Sequence, residues 1–209
     1  MHCSSIKSRR SVRKFKQRMP SDQDIIKIIS AGNEAPSARN EQKWQFLVIK
    51  DKQTLQEIKA IVDAKIQDIK EFVLEEYKEK FGSYSKRFFY DTPVYIIPIY
   101  NTASFLGDFL DSSITTEKAK EYAQLGQDKD EKCSLISASF AVENMLLTID
   151  ELGLGAVFVG GALLAENEIK QLLDVPDGWK IQGLIPVGYP DETPESPEKK
   201  PVDMFIKWV

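Results

Sequence analysis

Ile25, Ile28, Ile29 and Ala31 recur at helical steps behind Ser21, and that spacing predicts the first substantial helix. Ser21 is a good N-cap with Asp24 three residues on, a variant of the capping box, and Gly32 is the expected stop. The loop EAPSARNEQ leads into WQFLVIKD, where Trp44, Phe46 and Val48 alternate with their neighbours as in a strand. From Thr54 to Phe81 the apolar positions Leu55, Ile58, Ile61, Val62, Ile66, Ile69, Phe72 and Val73 predict one long helix. PVYIIPIY, from Pro93 to Tyr100, is continuously apolar and predicts a strand covered on both faces.

Asp108 to Lys132 is polar and reads as a solvated connection with one short helix, or alternatively as a lid over a site. SLISASFAVENMLLTIDEL, from Ser134 to Leu152, predicts a central helix whose Ser137, Ala138 and Ser139 permit close approach. A short strand at Ala156 to Val159, an amphipathic helix in ENEIKQLLDV and a final strand in WKIQGLIPVGYP ending at Gly188 follow. The proline-bearing tail ends in Met204, Phe205, Ile206, Trp208 and Val209, residues that a disordered tail does not need and a tail packed on another surface does. Strands alternating with helices, without an internal repeat or linker, indicate one α/β or α+β domain over residues 1–209.

Composition mainly excludes. At 42% hydrophobic and 29% charged, the 209 residues are those of an ordinary globular protein. The apolar runs fall short of a membrane span and the N-terminus has no secretory pattern, so a cytoplasmic protein without a membrane partner is expected. Cys3 and Cys133 are too few and too scattered for a disulfide framework or zinc site. The single histidine is His2, which removes Ser-His-Asp, Cys-His and HExxH chemistry. An enzyme of this composition draws its reactivity from a cofactor.

Charge is distributed unevenly. Lys7, Arg9, Arg10, Arg13, Lys14, Lys16 and Arg18 crowd RRSVRKF and its flanks with no acidic residue among them, whereas the whole chain carries -4. The partner of that stretch is a nucleic acid, the chain's own acidic body or a compact anion. Nucleic acid needs a broad positive field, which the acidic remainder denies, so none is expected. Guanidinium and hydroxyl donors packed into RRSxR suit one phosphate group.

Taken in order, RRSVRKF, APSARNEQKWQF, ENMLLTIDELGLGAVFVGG and the terminal VGYP with KKP resemble the nitroreductase family of flavin enzymes, from about Ile6 to Trp208. The resemblance implies an α+β fold, a central mixed, antiparallel-containing sheet flanked by helices, with a C-terminal extension wrapped around the partner of a homodimer. It implies FMN as cofactor, NADH or NADPH as donor, ping-pong transfer through flavin N5, and a nitroaromatic or quinone-like acceptor.

Residue by residue, Arg9, Arg10 and Ser11 match the segment that holds the FMN phosphate and ribityl chain, and Arg13 the basic residue beside the pyrimidine edge. A fixed cation there stabilises the negative charge of reduced flavin. Pro36 and Ser37, with Asn40 and Gln42 close behind, match the loop supplied by the partner subunit. Ser137 matches a polar helix position near the ribityl chain, and Phe158, Gly160 and Gly161 the strand-loop against the flavin ring. Lys199 or Lys200 stands where the family has a phosphate-binding arginine. The chain departs from the pattern in having Gln42-Lys43-Trp44 for QPW and glycine at 160 where some relatives are acidic, which opens the substrate subclass. Relatives also dehalogenate or dismantle flavin, and a flavin-binding protein without turnover is a further alternative. Tyr84, Phe88, Phe89 and Tyr90 either shape substrate entry or pack the core.

Overall fold

The computed structural model describes residues 4–106, 109 and 116–209. The helices are α1 (Ser4–Ser8), α2 (Asp22–Asn33), α3 (Lys52–Phe72), α4 (Lys78–Ser85), α5 (Glu117–Glu151) and α6 (Glu166–Leu172). The strands are β1 (Trp44–Ile49), β2 (Val94–Asn101), β3 (Gly155–Ala156), β4 (Trp179–Ile181) and β5 (Ile185–Gly188). They form one sheet in the order β1-β2-β5-β3, with β4 also on β2, and every strand pair is antiparallel. Among the described residues its one parallel element is the bridge Ser11–Ala156, which makes the sheet mixed at that edge. Helices plus an antiparallel sheet give the α+β class.

β2 explains why its run is apolar throughout. Tyr95, Ile97 and Ile99 pack under α3 with Leu55, Ile58 and Val62, while Val94 and Ile96 join Ile25, Ile28, Met145 and Ile149 on the opposite face. α2 starts as its sequence dictates: the Ser21 hydroxyl accepts the Asp24 N–H at 3.1 Å. The helix runs through Gly32 to Asn33, and Gly32 is buried where α2 meets Met145 of α5.

Four expectations are corrected. The long helix predicted to Phe81 ends at Phe72 and resumes as α4, because burial on α3 stops after Val62; Phe72 itself is exposed. The predicted connection at 108–132 is helical from Glu117 onward, capped by Thr116, so α5 is 35 residues long. The rest of that stretch, apart from residues 109 and 116, lies outside the described residues, as do His2 and Cys3. The strand predicted at Ala156 to Val159 shortens to Gly155–Ala156, with Val159 bridged separately to Leu184. The final strand divides into β4 and β5 around Gly183, over which the Phe158 ring lies.

One 18-residue window of α5 has a mean hydropathy of 1.2, enough by length and composition for a membrane span although its unbroken apolar runs are short. Its Ala138, Ala141, Val142, Met145 and Ile149 are buried in the core instead. The tail beyond Pro190 is mostly exposed, including Met204, Phe205, Ile206 and Trp208.

Candidate functional site

The basic stretch is a piece of sheet edge. The Val12 N–H donates to the Ala156 carbonyl at 2.9 Å, Lys16 N–H to Tyr189, and Asp191 N–H back to Lys14. Val12 and Phe15 are buried, so Arg13, Lys14 and Lys16 are carried outward between and beside them. The contact is close because β3 has no side chain there: a Cβ on Gly155 would stand 2.7 Å from that of Val12. Glu192 fastens the segment further, its carboxylate accepting the N–H groups of Arg13 at 2.5 Å and Lys14 at 3.1 Å.

Arg9 and Arg10 border a cavity of about 500 Å³ together with Val12, Ala156 and the first tail residues. Nη1 of Arg10 turns back to the carbonyls of Lys7, Ser8 and Arg9 at 2.7–2.9 Å and so closes the end of α1. No hydrogen bond occupies the Arg9 guanidinium among the described residues. Two carboxylates share this cavity's wall; Asp150 accepts the Ser8 hydroxyl at 2.6 Å, and Glu192 is engaged as above. Lys199 does not line it; the tail reaches it through Glu192, Thr193 and Pro194.

A smaller cavity of about 170 Å³ brings Arg13 together with Phe158, Gly160 and Gly161. The two glycines differ in what they permit. A Cβ on Gly161 would lie 2.1 Å from the buried Phe88 ring, so its bareness serves that ring. A Cβ on Gly160 meets nothing within 4 Å, and open space stands over that backbone. A flat ring fits against such a surface, with Arg13 as cation beside it, so the residues present suit a flavin.

The remaining predicted residues gather elsewhere. Ser37, Gln42 and Ser137 line a third cavity, of about 10 Å³, beside Cys133 and Asp130. Ser137 is buried and its hydroxyl is used within the chain, donating to the Cys133 carbonyl at 2.7 Å and accepting the Ala38 N–H at 3.1 Å. The Ser37 hydroxyl accepts the Gln42 N–H at 3.0 Å, and the Asn40 side-chain oxygen accepts from the Gln42 amide at 3.2 Å. Pro36 is exposed at the loop's entry. Arg39, Asn40 and Gln42 all have positive φ, 55°, 55° and 49°. Left-handed backbone at non-glycine residues is uncommon and needs surrounding contacts to hold it.

Those contacts reveal a residue that the sequence pattern did not flag. Asp130, 1% exposed, accepts the N–H of Phe105 at 2.8 Å and of Leu106 at 3.2 Å, the Ser104 hydroxyl at 3.2 Å, and Arg39 at 3.4 Å. Arg39 also forks onto Glu41 and lies over the Phe105 ring at 4.1 Å. Burial opposes ionisation of Asp130. The Lys129 ammonium, the Leu106 N–H and the Ser104 hydroxyl outweigh it and hold the carboxyl well below its ordinary 3.8. Gly126, Asp130 and Ser134 share one buried face at four-residue steps, a signal visible only once the helix is extended before Ser134.

The description Nitroreductase family belongs to the family model that matches residues 6–189. A Methanothermobacter thermautotrophicus protein named as a candidate NADH dehydrogenase/NAD(P)H nitroreductase is 31% identical, over 91% of this chain and 78% of that one. An iodotyrosine deiodinase of Thermotoga neapolitana is 27% identical, over 89% and 87%. Among solved structures, a BluB-like flavoprotein from Clostridium difficile 630 superposes with a TM-score of 0.80 at 26% identity, covering 99% of this chain and 97% of its own. An iodotyrosine deiodinase bound to FMN and 3-iodo-L-tyrosine shares the fold, with a TM-score of 0.73 at 24% identity over 100% and 99%. With the family model spanning nearly all of its folded body, this chain belongs to the nitroreductase family.

Proposed function

We propose that the chain is an FMN-dependent oxidoreductase that carries reducing equivalents from NADH or NADPH to an electron-poor aromatic or quinone-like acceptor in the cytoplasm. The Ser11–Ala156 bridge carries the reading, because it joins the basic segment to the strand end leading into Phe158–Gly161. When bound, FMN supplies a two-electron carrier that takes hydride from the nucleotide and yields it to the acceptor in a ping-pong exchange. The protein's own work is binding and electrostatics. Arg9 and Ser11, with Arg10 and a tail lysine, Lys199 or Lys200, anchor the phosphate and ribityl end. Arg13 sets a fixed positive charge near the ring, and the bare backbone of Gly160 lets the ring lie close.

A second copy completes this site. Pro36, Ser37, Asn40 and Gln42 sit on a loop fastened to α5, and the cavity it lines is not the one lined by Arg9 or Arg13. The family resemblance assigns this loop to the partner's flavin, and its separation from the Arg9 and Arg13 cavities supports that reading. Leu135, Ile136 and Phe140 on α5 are exposed, as are the aromatic tail residues, and pairing of two copies covers both. Sedimentation is expected to give twice 23.8 kDa. A monomer mass at micromolar concentration overturns the composite site.

The direct test is the visible spectrum of the purified protein before and after anaerobic NADH or NADPH. A yellow protein that releases FMN on heating and bleaches with either nucleotide bears the reading out; a colourless protein that takes up no added FMN contradicts it. Reductive dehalogenation on the same cofactor is the second reading, favoured by the match to the Thermotoga deiodinase over 89% of this chain. Halide released from 3-iodotyrosine by the reduced protein distinguishes the two.

A further inference from the structure

The cavity beside Gly160 has lining residues that the flavin assignment does not use. Tyr84, Arg87 and Tyr90 line it together with Arg13 and Phe158, and among the described residues no acidic side chain lines it. These residues are held rigidly. Phe88 is 3% exposed, sits on Gly161 and meets the Tyr84 ring edge-on at 4.9 Å. The Arg87 and Phe88 N–H groups close turns onto Tyr84 and Ser85 at 3.1 and 3.0 Å. On the other side the buried Tyr95 hydroxyl clamps Tyr90, donating to its carbonyl and accepting its N–H, both at 2.8 Å. Arg87 is exposed, and among the described residues no hydrogen bond or ion pair occupies its guanidinium.

Aromatic rings beside two guanidinium groups, with no carboxylate among the described lining residues, select a flat ligand that is itself negatively charged. Building on the FMN reading above, we propose that the acceptor is an anionic aromatic compound, a ring bearing a carboxylate or phenolate, and that Arg87 is the specificity-determining residue that binds its charge. Tyr84 and Tyr90 flank the ring, and Arg13 stays with the flavin. For a nitroarene carboxylate the balance is simple. The nitro group takes two electrons and two protons, one oxygen leaves as water, a nitroso group remains, and NAD(P)H becomes NAD(P)+; one of the protons comes from solvent.

The test compares 4-nitrobenzoate with its uncharged isostere 4-nitrobenzamide on FMN-loaded protein, in wild type, Arg87→Ala and Arg87→Lys. Wild type is expected to favour the benzoate in kcat/KM. One charge-assisted contact at a partly solvated site sets the scale, and Arg87→Ala should lower the benzoate-to-benzamide ratio roughly tenfold. Arg87→Lys should restore part of it, and the change should fall on KM for the acceptor. A ratio that is the same in wild type and Arg87→Ala overturns the proposal. So does a loss that appears in KM for NAD(P)H instead, because Arg87 would then hold the nucleotide's phosphates. Flavin absorbance of each variant is read first: wild-type protein that binds no FMN refutes the cofactor reading itself, whereas flavin-replete protein without charge preference refutes only the acceptor class.

Discussion

Arg9→Ala combined with Arg10→Ala is expected to give a folded but largely colourless protein. Bidentate guanidinium–phosphate contacts are among the stronger polar interactions, and losing two should weaken FMN binding on the order of a hundredfold or more. The two arginines contribute differently. Among the described residues no hydrogen bond occupies the Arg9 guanidinium, whereas Arg10 also closes α1 by donating to three carbonyls. Arg9→Ala alone should therefore lose flavin with little change in melting temperature, and Arg10→Ala should loosen the first helix as well. The flavin-to-protein absorbance ratio and a thermal melt separate these effects. Full flavin retention in the double variant removes the phosphate assignment.

Asp130→Ala should have the largest effect on stability. The substitution leaves the N–H groups of Phe105 and Leu106 and the Ser104 hydroxyl without their acceptor, and releases Arg39. A loss of about 2–3 kcal/mol is expected for a buried, charge-assisted acceptor of this kind. The loop with three left-handed residues should loosen at the same time, because Arg39 is one of its anchors. Asp130→Asn makes the pH dependence readable. The carboxyl is held below its ordinary 3.8, so its stabilisation is complete above about pH 4 and is lost as pH falls toward the folded value. The gap in melting temperature between wild type and Asp130→Asn should therefore be wide at pH 7 and narrower at pH 3. A gap independent of pH means that the ionised carboxylate contributes nothing.

What could be read from sequence was whatever local pattern alone decides. Ser21 with Ile25 and Ile28 specifies α2, and the unbroken run at β2 announces burial on both faces, which the two clusters confirm. The failures share a cause. Periodicity records which side chains are apolar but not where the protein body ends, so the stripe through Ile66, Ile69 and Phe72 overran the cover available to α3. At the start of α5 the opposite holds. The buried face there is Gly126, Asp130 and Ser134, which no hydrophobic pattern displays. Gly183 broke the last strand because Phe158, distant in sequence, needs its space.

The candidate site was legible to the same degree. Arg9, Arg10 and Arg13 stand out through charge, and the fold brings Arg13 into one cavity with Phe158, Gly160 and Gly161. Sequence had no signal for the positive φ of Arg39, Asn40 and Gln42, since these are not residues that demand it. Nor did it separate Gly160, which faces open space, from Gly161, which faces Phe88. Arg87 carries no sequence signal of its own, because the aromatic residues around it suit either packing or an entrance. In the structure Phe88 is buried in the core while also bordering the cavity that Tyr84 and Tyr90 line.

The most direct measurement is an anaerobic titration of the purified, FMN-loaded protein with NADH and with NADPH, followed by a quinone. One equivalent of nucleotide per protomer should abolish the absorbance near 450 nm on the order of seconds or faster, and the quinone should restore it stoichiometrically, as typical enzyme turnover rates require. Flavin that stays oxidised with both nucleotides, or that bleaches but is not reoxidised by any electron-poor acceptor, would contradict an oxidoreductase and leave a flavin-binding protein without turnover.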